Sequence, residues 1–216
     1  MLNKLTATQL KEALEAQFSE QLPGYSAQKA MSPEGREQML KMMPKNAPFR
    51  DAAVLVGLYF DGEDWQFPLI HRSEDGYAHS GQVSLPGGKL ERAETIHEAA
   101  IREAEEEIGL PGTSVTILDT LTSLPIPFSN FMVHPVVALV DGVPNWQIEE
   151  REVQSVFTVG LKEFLNDELI NQENLSFNGV SRLVPYYSFS GHKVWGATAM
   201  ILSEFRQILN TISRTL

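Results

Sequence analysis

Gly87-Gly88-Lys89-Leu90-Glu91-Arg92-Ala93-Glu94-Thr95-Ile96-His97-Glu98-Ala99-Ala100-Ile101-Arg102-Glu103-Ala104-Glu105-Glu106-Glu107-Ile108-Gly109-Leu110 is the stretch that decides how the chain is read. Thr95 followed three residues later by Glu98 is a capping box, Ala99, Ala100 and Ala104 are strong helix formers, and Gly109 stands where a helix end wants positive φ. The pattern predicts a helix from Ile96 to Ile108. At about 100° per residue, Ile96, Ala100, Ile101, Ala104 and Ile108 share an arc that should face a core. Glu103, Glu106 and Glu107 fall on a neighbouring arc at spacings i, i+3 and i+4. Like charges so placed destabilise a helix by roughly 0.2–0.5 kcal/mol per pair, so something should compensate. A hard divalent cation, Mg²⁺ or Mn²⁺, does so naturally because it prefers carboxylate and carbonyl oxygen. The structural alternative is an acidic face turned to solvent.

Five residues separate Gly88 from Glu94, and seven more lead to Arg102-Glu103-Ala104-Glu105-Glu106-Glu107-Ile108-Gly109-Leu110. This spacing resembles the Nudix box at every specified position. The resemblance implies a loop-helix-loop that binds Mg²⁺ or Mn²⁺ and hydrolyses a diphosphate linked to another moiety. It implies metal ligation by Glu106, Glu107 and the Gly87 carbonyl, with Glu103 as a further ligand or as the base for the attacking water. Glu94 and Arg102 become an ion pair bracing the loop, Gly88 admits close backbone approach, and Gly109 ends the helix.

Upstream, Arg72-Ser73, His79, Gly81-Gln82-Val83-Ser84 and Pro86-Gly87-Gly88 are similar to the signature that coenzyme A pyrophosphatases carry ahead of their box. Tyr77 stands where that signature has Arg, and Pro68-Leu69-Ile70 replaces Leu-Leu-Thr. Further resemblance lies in Pro125 to Pro135, in Glu152-Val153 ahead of Phe157, and in Trp195-Gly196-Ala197-Thr198. The subfamily implies hydrolysis of coenzyme A or acyl-coenzyme A to 3′,5′-ADP and (acyl-)4′-phosphopantetheine. Tyr77 favours another substrate, ADP-ribose or a nucleoside triphosphate, and a non-catalytic nucleotide-binding module is the reading from another class. Arg72, His79 and Lys89 are candidates to meet substrate phosphates. Glu152 is the candidate downstream carboxylate, as ligand or base, with Glu149 and Glu150 in the same loop. His71, His97, His134 and His192 lack ligand-like spacing and are read as non-catalytic.

The chain has 216 residues, 43% of them hydrophobic, which suits one domain with a core plus a short extension. It has no cysteine, in keeping with a reducing compartment and excluding thiolate chemistry. No apolar run of about twenty residues and no leader-like start are seen, so a cytoplasmic protein without a membrane segment is expected. A formal charge of −11 argues against nucleic acid as partner and leaves a small phosphorylated substrate, held through metal and a few basic groups.

Residues 1–46 read as a helical N-terminal extension and 47–216 as the Nudix-type domain. Thr6 with Gln9 is a second capping box, and Leu10, Leu14, Phe18 and Leu22 trace a helix that Pro23-Gly24 ends, suited to packing or to a homodimer contact. A further helix is expected from Ser32-Pro33 to before Pro44. Strands are expected over Ala52–Tyr59, Gln66–His71, Val115–Leu124, Met132–Val140, Ser155–Val159 and Arg182–Phe189, with helices over Leu161–Leu165 and from Thr198 onward. The resulting fold class is α/β, an α/β/α sandwich around a mixed sheet.

Overall fold

The computed structural model describes residues 2–43, 48–73, 81–177 and 179–215. The N-terminal part forms Ala7–Phe18 (α1), Tyr25–Gln28 (α2) and Arg36–Met42 (α3). Thr6 accepts from the Gln9 amide while the Gln9 side chain returns to the Thr6 backbone, the reciprocal bonding expected of that pair. The helix expected from Ser32-Pro33 starts later, at Arg36, behind Gly35 in the left-handed region at φ 81°. The reason is a tether: the Glu34 amide donates to the Leu183 carbonyl at 3.0 Å, so the chain at this point is bonded to a distant strand before it can coil.

Eight strands make one mixed sheet: Arg50–Phe60 (β1), Trp65–Arg72 (β2), Val83–Ser84 (β3), Gly87–Lys89 (β4), Val115–Thr120 (β5), Leu124–Ile126 (β6), Phe131–Val140 (β7) and Val153–Gly160 (β8). β1 lies parallel to β7; the other pairings are antiparallel, β2 carrying β3 and β8, β7 carrying β5 and β6. The predicted strand over Val115–Leu124 is thus two. Between its halves the Thr122 amide and hydroxyl turn to the Glu204 carboxylate instead of the ladder. Ile170–Phe177 (β9), Val180–Phe189 (β10) and His192–Trp195 (β11) form a separate antiparallel sheet. β9 is absent from the expected elements, because Ile-Asn-Gln-Glu-Asn-Leu-Ser-Phe is mostly exposed and carries almost no apolar alternation.

The helices Ile96–Ile108 (α4) and Gly196–Thr215 (α6) cover opposite faces of the large sheet, with Leu161–Phe164 (α5) at the end of β8. Period-two alternation in β1 sends Ala53, Leu55 and Tyr59 toward α4, where they pack with Ala99, Ala100, Ala104 and Ile108. Val56 and Leu58 point the other way, into a cluster with Leu202, Phe205, Ile208 and Leu209 of α6 and Leu10 and Leu14 of α1. This is the three-layer arrangement the sequence predicts. Within the apolar face of α6, Glu204 is completely buried, accepting from the Gly24 amide, Gln28 Nε2 and both donors of Thr122. It fastens α2 and the β5–β6 link to α6. No helix among the described residues is long and apolar enough to cross a membrane.

Candidate active site

The helix α4 is bounded as its chemistry dictates: Thr95 and Glu98 form the capping box, and Gly109 closes it at φ 68°, with its amide on the Ala104 and Glu105 carbonyls. Ala99, Ala100, Ala104 and Ile108 bury against the sheet, which fixes the rotation of the helix and hence of its acids. The three glutamates do not all face one way. Glu107 rolls inward until 2% of it is exposed, whereas Glu103 is half-buried and the Glu106 side chain is 60% exposed.

Two arginines and the glycine loop meet these acids. The Gly87 amide donates to Glu107 Oε2 at 2.8 Å, and Arg72 Nη1 donates to Oε1 at 3.1 Å. Gly87 pairs with Val54 of β1 at φ 147°, where any Cβ would lie 2.2 Å from the Ala53 carbonyl oxygen, so only glycine delivers that amide. At Gly88 a Cβ would sit 2.4 Å from Glu103 Oε2: the missing side chain is the room that Glu103 occupies. Arg102 donates from Nε and Nη2 to the two Glu94 oxygens at 2.8 and 3.0 Å, and from Nη1 to Glu103 and Glu106, each at 2.9 Å. Its Nη2 also reaches the Lys89 carbonyl, so one guanidinium joins the loop to the helix.

The electrostatics follow from burial. Loss of water raises the Glu107 pKa to about 7, against the Gly87 amide and Arg72 and with help from the Glu103 and Glu152 charges. Burial likewise raises Glu103, with Arg102 opposing and Glu106 and Glu152 adding. The bond to Arg102 lowers Glu94 and that to Glu94 raises Arg102, so this pair stays charged.

Beside the acids lies a cavity of about 410 Å³, whose wall includes Arg72, Gly87, Gly88, Lys89, Glu103, Glu107 and Glu152. Glu152 is exposed and lines it, while Glu149 and Glu150 do not. The Ser73 amide on the Glu152 carbonyl carries the downstream loop to the strand that holds Arg72. The cavity is also lined by apolar side chains, those of Val54, Ile126, Phe131, Val133, Trp195 and Ile201. His79 and Tyr77 lie outside the described residues. The other histidines sit away from this wall; His71 and His192 bond each other at 2.9 Å, a contact no sequence spacing signals.

Among the described residues no three acidic or imidazole side chains converge as a ready metal cage. The donor chemistry nonetheless suits a hard divalent cation. Glu107 is a buried and Glu103 a half-buried carboxylate, and both line the cavity beside the Gly87 backbone, so oxygen donors of the kind such a cation prefers stand together.

A family model described as the NUDIX domain matches residues 48–177. The uncharacterized Nudix hydrolase NudL of Yersinia enterocolitica is 33% identical over 160 residues, 74% of this chain and 81% of that protein. Nudix hydrolase 15, mitochondrial, of Arabidopsis thaliana is 37% identical over 166 residues, 70% of this chain but only 55% of the longer plant protein. Among solved structures, a MutT/nudix family protein from Enterococcus faecalis superposes with a TM-score of 0.51 at 16% identity, over 95% of this chain and 75% of that one. At that identity the likeness is one of fold.

Proposed function

The chain belongs to the NUDIX domain family, and on that premise we propose that it is a divalent-metal-dependent hydrolase of coenzyme A or acyl-coenzyme A, releasing 3′,5′-ADP and (acyl-)4′-phosphopantetheine. The observation that carries this reading is the mixed lining of the cavity, carboxylates and a glycine loop together with a set of apolar side chains. The carboxylates and the glycine loop suit a phosphoanhydride through bound metal, and the apolar side chains suit a pantetheine arm with its acyl chain. The sugar of ADP-ribose would leave the apolar side chains without an equivalent partner.

Glu103, Glu106, Glu107 and the Gly87 carbonyl would hold Mg²⁺ or Mn²⁺, which polarises phosphoryl oxygen and acidifies bound water. Arg102, gripped by Glu94, keeps Glu103 and Glu106 at the loop until they are needed as donors. Arg72 and Lys89 supply positive charge along the wall where the diphosphate lies. Glu103, with its pKa raised by burial, is suited to accept the proton of the attacking water, and Glu152, which also lines the cavity, is the second carboxylate able to do so. Placing the water in line with phosphorus then requires little beyond orientation and charge neutralisation.

The test is a substrate panel. Purified protein with Mg²⁺ or Mn²⁺ should release 3′,5′-ADP from coenzyme A or its acyl esters faster than it cleaves ADP-ribose or nucleoside triphosphates. Cleavage confined to the latter would move the assignment to a nucleotide-sugar or nucleotide pyrophosphatase, the alternative that Tyr77 favours. A module that only binds nucleotide would keep its affinity and have no turnover to lose in Glu106→Gln.

A further inference from the structure

Ser84 belongs to the two-residue strand β3 and lines the cavity. Its hydroxyl oxygen is buried and has no hydrogen-bond partner among the described residues. The other buried side-chain atoms in that state belong to Gln28, Arg36 and Asn130, none of which lines the cavity. Buried hydroxyls almost always find a partner, because leaving one unpaired sacrifices its hydration for nothing. The strand cannot readily retreat. Ser84 faces Ile70 of β2 in the ladder, and Thr198 Oγ1 of α6 donates to the Val83 carbonyl at 3.2 Å.

The position points to what the hydroxyl serves. Three residues beyond Ser84, the Gly87 amide holds one Glu107 oxygen, and Arg72, two residues beyond the ladder partner Ile70, holds the other. Ser84 therefore lies in the chain next to the groups that hold Glu107. The basic side chains on the described wall are Arg72, already bonded to Glu107, and Lys89, which is exposed. A diphosphate has more non-bridging oxygens than these two side chains can satisfy, which leaves a place for an uncharged donor beside the metal.

We propose that Ser84 Oγ donates a hydrogen bond to a non-bridging oxygen of the substrate's diphosphate and so sets substrate affinity. This contact rests on the reading of the site as a diphosphate hydrolase. The test uses the full-length protein with Mg²⁺: steady-state kinetics of wild type, Ser84→Ala and Ser84→Thr on coenzyme A and ADP-ribose, and thermal unfolding of each metal-free protein. Ser84→Ala should raise KM about tenfold on every diphosphate that wild type cleaves while kcat changes by less than about threefold, and Ser84→Thr should restore most of the loss. The unfolding midpoint of Ser84→Ala should equal or exceed that of wild type, since no bond is lost in the free protein.

With wild type active, an unchanged KM in Ser84→Ala, a rise on only one of two cleaved substrates, or a lowered midpoint overturns the contact alone. The last of these would reveal a structural partner. Wild type inactive on every diphosphate overturns the hydrolase reading and the contact with it.

Discussion

Glu107 and Glu204 are both glutamates sealed inside the fold, on helices that cover opposite faces of one sheet. Glu204 takes donors from Gly24, Gln28 and Thr122, and among the described residues it has no ion-pair partner. Glu107 takes the Gly87 amide and Arg72, yet burial, with the Glu103 and Glu152 charges adding, pushes it up to about 7. Burial alone therefore does not distinguish a structural carboxylate from a functional one. The difference is whether the pocket satisfies the charge or leaves it for something else to satisfy.

If that contrast is right, the two side chains should separate in their consequences. Glu107→Gln should lower kcat by about a thousandfold, since a proposed metal ligand is lost, while leaving the protein folded. Glu204→Ala should do the reverse, leaving buried donors unpaired and costing about 3 kcal/mol in chemical denaturation, with kcat near wild type below the transition. A rate loss from Glu204→Ala as large as that from Glu107→Gln would break the comparison.

Titration sharpens it. Glu107 has a folded pKa of about 7, above the ordinary glutamate value of 4.5, so the folded protein binds its proton more tightly than the unfolded chain. Stability of the metal-free protein should then fall as pH rises from about 4.5 to 7, by an order of 3 kcal/mol, and level off above. Glu107→Gln should flatten that slope, as thermal unfolding across the range would show. The smallest effect is expected at the exposed Lys89, where Lys89→Ala should raise KM about threefold, less at high salt.

How much of this was legible beforehand depends on how local its cause is. The ends of α4 could be read because capping chemistry resides within a few residues, and both the Thr95–Glu98 box and the positive φ of Gly109 are where the sequence puts them. The layers could be read because period-two and helical alternation reflect burial directly. The inward roll of Glu107 could not: its spacing placed it with Glu103 and Glu106, and only the packing of Ala104 and Ile108 on the sheet sets its depth. Glu204 was hidden inside an apolar repeat, its partners lying 82 to 180 residues away. The late start of α3 and the split between β5 and β6 have the same origin, a long-range hydrogen bond overriding a local signal. Ser84 belongs to the stretch ahead of the box, but its unpaired hydroxyl is a property of the folded wall.

The most direct measurement is Mn²⁺ binding by electron paramagnetic resonance to wild type, Glu106→Gln, Glu107→Gln and Glu204→Gln, at pH 8 without substrate. The expected result is saturable binding to wild type and Glu204→Gln, weakened at least about tenfold in each of the two α4 variants. Equal affinity in all four proteins would contradict the claim that the α4 carboxylates form the cation site.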